Sequence, residues 1–164
     1  MNNFNAFLKL KTFEKHMSVN ELAKLTNKSQ SYISRILNNQ ITYSNENRTI
    51  KQMCHFLEIR KRNIEINLNE LKRDFSLFIS ETCFHTEKKD HYFEKIISKQ
   101  KDFENTPGII YIYLTYIIRN SLQQTLIDNK VFESIIKKMF FIHNSLETND
   151  KQIFLIFYSS YLTR

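Results

Sequence analysis

Ser18-Val19-Asn20-Glu21-Leu22-Ala23-Lys24-Leu25-Thr26-Asn27-Lys28-Ser29-Gln30-Ser31-Tyr32-Ile33-Ser34-Arg35-Ile36-Leu37-Asn38-Asn39 is the stretch whose reading decides the fold. It reads as two short helices joined by a tight turn. Ser18 followed by Glu21 is a capping box, in which each side chain satisfies a backbone donor of the other residue, and Met17 and Leu22 flank it at the staple positions. The first helix is expected from Val19 to about Leu25, with Leu22, Ala23 and Leu25 turned inward. It stops at Thr26-Asn27-Lys28, where Asn27 takes the left-handed conformation that a tight turn needs.

Ser29 is the N-cap of the second helix. Ile33, Ile36 and Leu37 form its buried stripe, so the outward face carries Gln30, Ser31, Ser34 and Arg35. Amides, hydroxyls and one guanidinium at a helix start are groups able to read base edges in a major groove. The plainer alternative is a capped helical hairpin whose polar face meets only solvent.

The run Leu22-Ala23, then Ser29 to Asn39, closely resembles the helix-turn-helix of phage-repressor-like (XRE family) regulators. In that geometry the second helix lies in the major groove and the first crosses the backbone. The resemblance covers about residues 4–59. It implies Gln30, Ser31, Ser34 and Arg35 as base-reading residues, and Ser29 and Asn38 as phosphate contacts. Three positions depart from the family pattern. Asn27 and Asn39 replace glycines, Val19 stands where a supporting glutamine is common, and Leu37 replaces an acidic residue and is free to join the core.

Composition supports an all-α chain. Of 164 residues one is Gly and one is Pro, too few for the turns of a sandwich or barrel and for a glycine-rich phosphate loop. Hydrophobic content of 41% with 13% aromatic excludes disorder. The net charge of +7 is unevenly placed. Residues 1–66 hold eleven basic and five acidic groups, whereas residues 67–164 hold thirteen and twelve. A basic N-terminal unit suits a phosphate backbone, through counterion release, and Lys28 and Tyr43 join the expected phosphate contacts. Cys54 and Cys83 lack C-x-x-C spacing, and Cys54 lies on an apolar stripe. The start lacks a basic segment followed by an apolar one, and no apolar run reaches the roughly 18 residues of a membrane span, so a cytoplasmic location is expected.

Before the motif, residues 4–15 form a first helix with Phe4, Phe7, Leu8 and Leu10 inside and Lys9, Lys11 and Lys15 outside. After it, Ile50, Met53, Cys54 and Leu57 mark a helix from about Glu46. These elements define a DNA-binding domain over 1–66. Residues 67–164 are expected to form a bundle of about five helices: stripes at Leu68 to Ile79 and Tyr92 to Ile97, an almost unbroken apolar helix from a Thr106-Pro107 cap to about Ile127, a stripe from Phe132 to His143, and a last helix capped by Asn149-Asp150. The apolar surplus predicts a dimer or effector surface that includes Tyr113, Ile117, Phe154, Phe157 and Tyr161. Intramolecular core is the competing reading of the same residues.

No H-E-x-x-H, nucleophile elbow or paired metal spacing is present; Cys83, His85 and His91 could in principle bind zinc, but surface residues at helix ends are the commoner reading of such a set. No catalysis, metal or cofactor is expected. The resemblance implies a transcriptional regulator, a repressor, that binds double-stranded DNA as a homodimer at a palindromic operator. Two roles stay open for residues 67–164: dimerisation, or sensing of a short peptide or small molecule. Their architecture resembles the peptide-responsive Rgg-like family, though without a repeat of fixed period. A TetR-like regulator and an antirepressor or protein-interaction module are the alternatives.

Overall fold

The computed structural model describes residues 4–42, 44, 46–59, 65–84, 86–123 and 129–162. Every regular element among them is helical: α1 (Phe4–Glu14), α2 (Val19–Thr26), α3 (Gln30–Leu37), α4 (Arg48–Phe56), α5 (Glu65–Cys83), α6 (Lys88–Ser98), α7 (Gln100–Phe103), α8 (Ile109–Gln123), α9 (Asn129–Ile142) and α10 (Thr148–Leu162), with a 3-10 turn at His143–Ser145. The chain is all-α, as its glycine and proline content requires.

In the N-terminal unit the expected caps form. Ser18 Oγ accepts from Glu21 N at 3.1 Å while Ser18 N donates to Glu21 Oε2 at 2.6 Å. Leu22, Ala23, Ile33, Ile36 and Leu37 are buried, but Leu25 is 45% exposed and stands outside the core. The helix runs one residue past it, and the buried place that closes α2 belongs to Thr26, whose hydroxyl donates to Leu22 O. Helix α4 starts at Arg48, because Asn47 Oδ1 accepts from the Thr49 and Ile50 amides and so fixes the cap one residue later than Glu46.

All four helices of this unit end in the same way without a glycine. His16, Asn27, Asn39 and Glu58 have φ of 51°, 53°, 59° and 55°. At each, the amide one residue further on reaches back to the last turn: Met17 to Thr12 O, Lys28 to Ala23 O, Gln40 to Arg35 O and Ile59 to Cys54 O, at 2.8–3.0 Å. This is the Schellman closure, which normally recruits glycine. The one glycine has another use. A Cβ on Gly108 would stand 2.1 Å from the Phe103 ring, so Gly108 is needed for close approach.

Helix α1 is the shared element. It packs on α3, on α9 and on the 143–145 turn. Lys11 is buried rather than outward, its ammonium 2.9 Å from Glu14, and Lys9 is half-buried; only Lys15 is exposed, paired with Glu58. Glu14 Oε1 accepts from the Tyr113 hydroxyl of α8 at 2.9 Å and from Lys138 of α9 at 3.1 Å. Burial alone would raise the Glu14 carboxyl, but these donors and the Lys11 charge bring it below its ordinary value.

Beyond α4, α5 and α6 form a helical hairpin, and α8 packs against α5, α6, α9 and α10. Ile109, Ile110, Ile112, Leu114, Ile117 and Ile118 are all buried, as an all-round apolar helix must be. Its start differs from expectation. The helix begins at Ile109, and Thr106 donates its hydroxyl to Phe103 O at 3.2 Å, closing α7 instead of capping α8. Residues 124–128 lie outside the described residues. The last helix begins at Thr148, before Asn149-Asp150.

Asp74 of α5 is fully buried and accepts from Lys95 at 3.0 Å and Lys99 at 2.9 Å. Burial would raise its carboxyl, and the two lysines outweigh that and lower it. Asp74→Asn is expected to cost about 2–4 kcal/mol at pH 7 by chemical denaturation, since two ammonium groups lose their buried anion. Because the folded carboxyl titrates below the unfolded one, the stabilisation is complete above about pH 4 and is lost as pH falls through the lowered folded value. A difference between wild type and variant that stays constant into strong acid would refute this account. His16→Gly relieves a left-handed side chain and is expected to raise stability by roughly 0.5–1 kcal/mol, a melting temperature about 1–4 °C higher; a lower melting temperature would show that the imidazole is favourable there.

Candidate nucleic-acid interface

The site is built on α3. Its spacing places Ser31 and Arg35 on the face opposite Ile33, Ile36 and Leu37, Ser34 at the edge of that face, and Gln30 in the first turn, at one end of the buried stripe. Gln30, Ser31 and Arg35 are exposed and Ser34 is half-buried. Ser29 Oγ accepts from Tyr32 N at 3.2 Å, which fixes where the helix starts and therefore which side chains project from its first turn. The Ser31 and Arg35 side chains make no hydrogen bond among the described residues and are free to take a ligand.

Gln30 is held from the preceding helix. Its Nε2 donates to Asn20 Oδ1 at 3.0 Å. Asn20 thus performs the support that the sequence seemed to lack at Val19, one residue later and with a shorter amide. The signal for it was present, a polar residue beside the Ser18 cap, but its partner becomes visible only when α2 and α3 cross.

At the other end of α3, Asn38 Oδ1 accepts from Lys9 at 2.8 Å and Asn38 Nδ2 donates to Ser34 Oγ at 3.2 Å. Burial lowers the Lys9 ammonium from its ordinary value. Lys28 is exposed at the turn, beside Arg48 and Gln52 across a cleft of about 310 Å³. Arg48, at the start of α4, therefore joins Lys28 as a second cation beside the turn between α2 and α3, a neighbour that sequence spacing did not reveal. The hydroxyl of Tyr32 accepts from Asn47 Nδ2 at 3.4 Å, tying α3 to the cap of α4. Tyr43, expected at a phosphate, lies outside the described residues.

The expected dimer or effector residues do not gather on one surface. Ile117 and Phe154 are fully buried within the chain itself, Phe154 against Phe140, His143 and Tyr158, so neither is available to a partner. This corrects the expectation: the apolar surplus of α8 and of this part of α10 is spent on the chain's own core. Tyr113 is half-buried and engaged with Glu14; burial first, and the Glu14 charge second, raise its phenol well above the ordinary value. The side chains of Phe157 and Tyr161 lie outside the described residues. Exposed apolar side chains do occur on α9 and α10, Phe140 and Leu155 among them, at 44% and 47%.

Among the described residues no group of three His, Cys, Asp or Glu comes together as a metal site, and His85 of the Cys83, His85, His91 set lies outside them. No helix among them is long and apolar enough to cross a membrane.

A family model described as helix-turn-helix matches residues 9–59, a little under a third of the chain. No curated protein and no solved structure matches the chain. The matched segment runs from within α1 through α4, the elements that cap, turn and support α3. Residues 9–59 are thus similar to an XRE-type helix-turn-helix, a module that binds DNA in transcription regulators.

Proposed function

We propose that this chain is a sequence-specific repressor that binds a palindromic operator as a homodimer in the cytoplasm. In this reading residues 1–66 are the DNA-binding unit and residues 67–164 hold two copies together. The observation that carries it is the first turn of α3. Gln30, Ser31 and Arg35 project into solvent from a helix whose start is fixed by Ser29 and whose first amide is aimed by Asn20. A face shaped only for solubility needs no such aiming. Gln30, Ser31, Ser34 and Arg35 read bases, while Lys28, Ser29, Asn38 and Tyr43 lie along the phosphates.

One α3 covers one half-site, so a second copy placed about 34 Å away is what gives an operator its length and symmetry. Phe140 and Leu155 are the apolar side chains we assign to that contact. Repression is the simpler mode, since occupying an operator excludes polymerase without any further surface. The module is non-catalytic in this reading. Effector sensing has one observation in its favour: an open groove of about 780 Å³ between Asn38, Asn39 and Thr42 on one side and Asn149 and Lys151 on the other.

The test is mass in solution by light scattering, paired with selection of bound duplexes at two salt concentrations. A dimer that enriches an inverted repeat supports the proposal; a monomer that enriches nothing removes it and moves the protein-interaction reading to first place. Gln30→Ala and Ser31→Ala are each expected to cost about 1–3 kcal/mol of discrimination at particular bases. Lys28→Ala should instead weaken all sequences alike and reduce the slope of log K against log salt by about one. Leu155→Glu places a charge in the proposed contact and should shift the mass to that of a monomer, with helicity by circular dichroism unchanged. Retention of the dimer would locate the contact elsewhere.

A further inference from the structure

A helix leaves its last four carbonyls without donors of its own. In α3 three of the four are satisfied locally. Ser34 O receives the Asn38 amide at 2.9 Å, Arg35 O that of Gln40 at 2.9 Å and Ile36 O that of Asn39 at 3.1 Å. The fourth, Leu37 O, is taken by the hydroxyl of Ser145, 108 residues further along the chain. Ser145 is fully buried in the turn between α9 and α10.

Two more bonds from outside the two-helix motif grip the same end. Lys9 holds Asn38 at 2.8 Å, its ammonium also lying 5.3 Å from the centre of the Phe141 ring, and Asn5 Nδ2 donates to Ile41 O at 2.6 Å. The reading end of α3 is tied differently: Ser29 caps it and Asn20 aims Gln30, both from within the motif. The helix is anchored to the C-terminal region at one end and projects its contacts from the other.

We propose that the C-terminal region sets the pose of the DNA-reading helix, with Ser145 and Lys9 as positioning residues that act through Leu37 and Asn38. This rests on the reading of α3 given above. Eight residues span about 12 Å, so a tilt of roughly 5° at the anchored end moves Gln30 by about 1 Å. Useful hydrogen bonds to base edges span only about half an ångström in length, so that displacement loses them while phosphate contacts on flexible lysines adapt. Residues that never touch DNA therefore control discrimination between sequences. Any change that moves the 143–145 turn is carried to the bases by the same route.

The test uses the full chain with Ser145→Ala, Ser145→Thr and Lys9→Met. The first removes the hydroxyl, the second keeps it, and the third keeps the stem packed while removing the ammonium. Binding is measured on the duplex that wild type selects and on a random duplex at the same salt. Ser145→Ala is expected to weaken the selected duplex about tenfold while the random duplex changes less than about twofold; Lys9→Met, which also releases Asn38, should weaken both, and the selected duplex several-fold more. Ser145→Thr should restore wild-type discrimination. Parallel losses on both duplexes, or no loss with either variant, would overturn the proposal.

Amide hydrogen exchange without DNA separates this inference from the reading beneath it. Ser145→Ala should speed exchange at Asn38, Asn39 and Gln40 and leave Tyr32 and Ile33 unchanged; uniform or absent change overturns the anchoring. A wild type that selects no duplex would remove the DNA reading, and the exchange pattern would still decide whether Ser145 anchors α3.

Discussion

The structure depends on burying a single helix from two sides. Eight of the eleven residues of α1 are buried, including Asn5, Lys11 and Thr12. A helix at a surface needs only one apolar stripe. Here one side of α1 completes the core beneath α3 and another meets α9, so polar residues on its flanks must find partners inside the protein. They do: Thr12 donates to Leu8 O, Lys11 pairs with Glu14, and Glu14 also gathers Tyr113 and Lys138. The basic motif and the charge-balanced remainder are joined through this polar cluster and through the contact of Phe13 with Phe141, ring centres 4.8 Å apart.

Much of this was legible in the sequence. The Ser18–Glu21 box, the Ser29 cap and the spacing of Ile33, Ile36 and Leu37 are local signals that contacts at distance cannot easily override. They gave the motif, the outward face of α3 and the all-α class. The burial of α8 was legible too, since an apolar helix has nowhere else to go. What could not be read is which side of a helix meets which distant neighbour. Lys9 and Lys11 look like surface lysines because nothing within a few residues marks Asn38 as a partner. Ile117 and Phe154 look like interface residues because surplus apolar area does not say whether it faces the same chain or another. Leu25 fails for the opposite reason: its spacing is right, but the buried place one turn after Leu22 goes to Thr26.

Local chemistry also explains how a chain with one glycine closes four helices. Asparagine tolerates the left-handed region because its short amide bonds locally, and it serves at Asn27 and Asn39 on either side of α3. Glu58 is compensated by Lys15 at 2.7 Å, an exposed pair whose contribution is small. Glycine is spent where no side chain of any kind fits, against Phe103. The turns on either side of α3 are therefore stiffer than glycine would make them, which holds Gln30 and Ser31 in fixed positions.

The bond between Ser145 and Leu37 also orders events during synthesis. A ribosome adds about 5–20 residues per second, so roughly 5–20 s separate the making of Leu37 from that of Ser145. Over that interval α1 to α4 are already on hand, with their caps encoded locally, while the side of α1 that carries Phe13 has no α9 to cover it. The nascent chain thus holds the exposed surface of α3 before it holds its brace. The final geometry of that surface is a late product of translation, reached only when the far end of the chain has emerged.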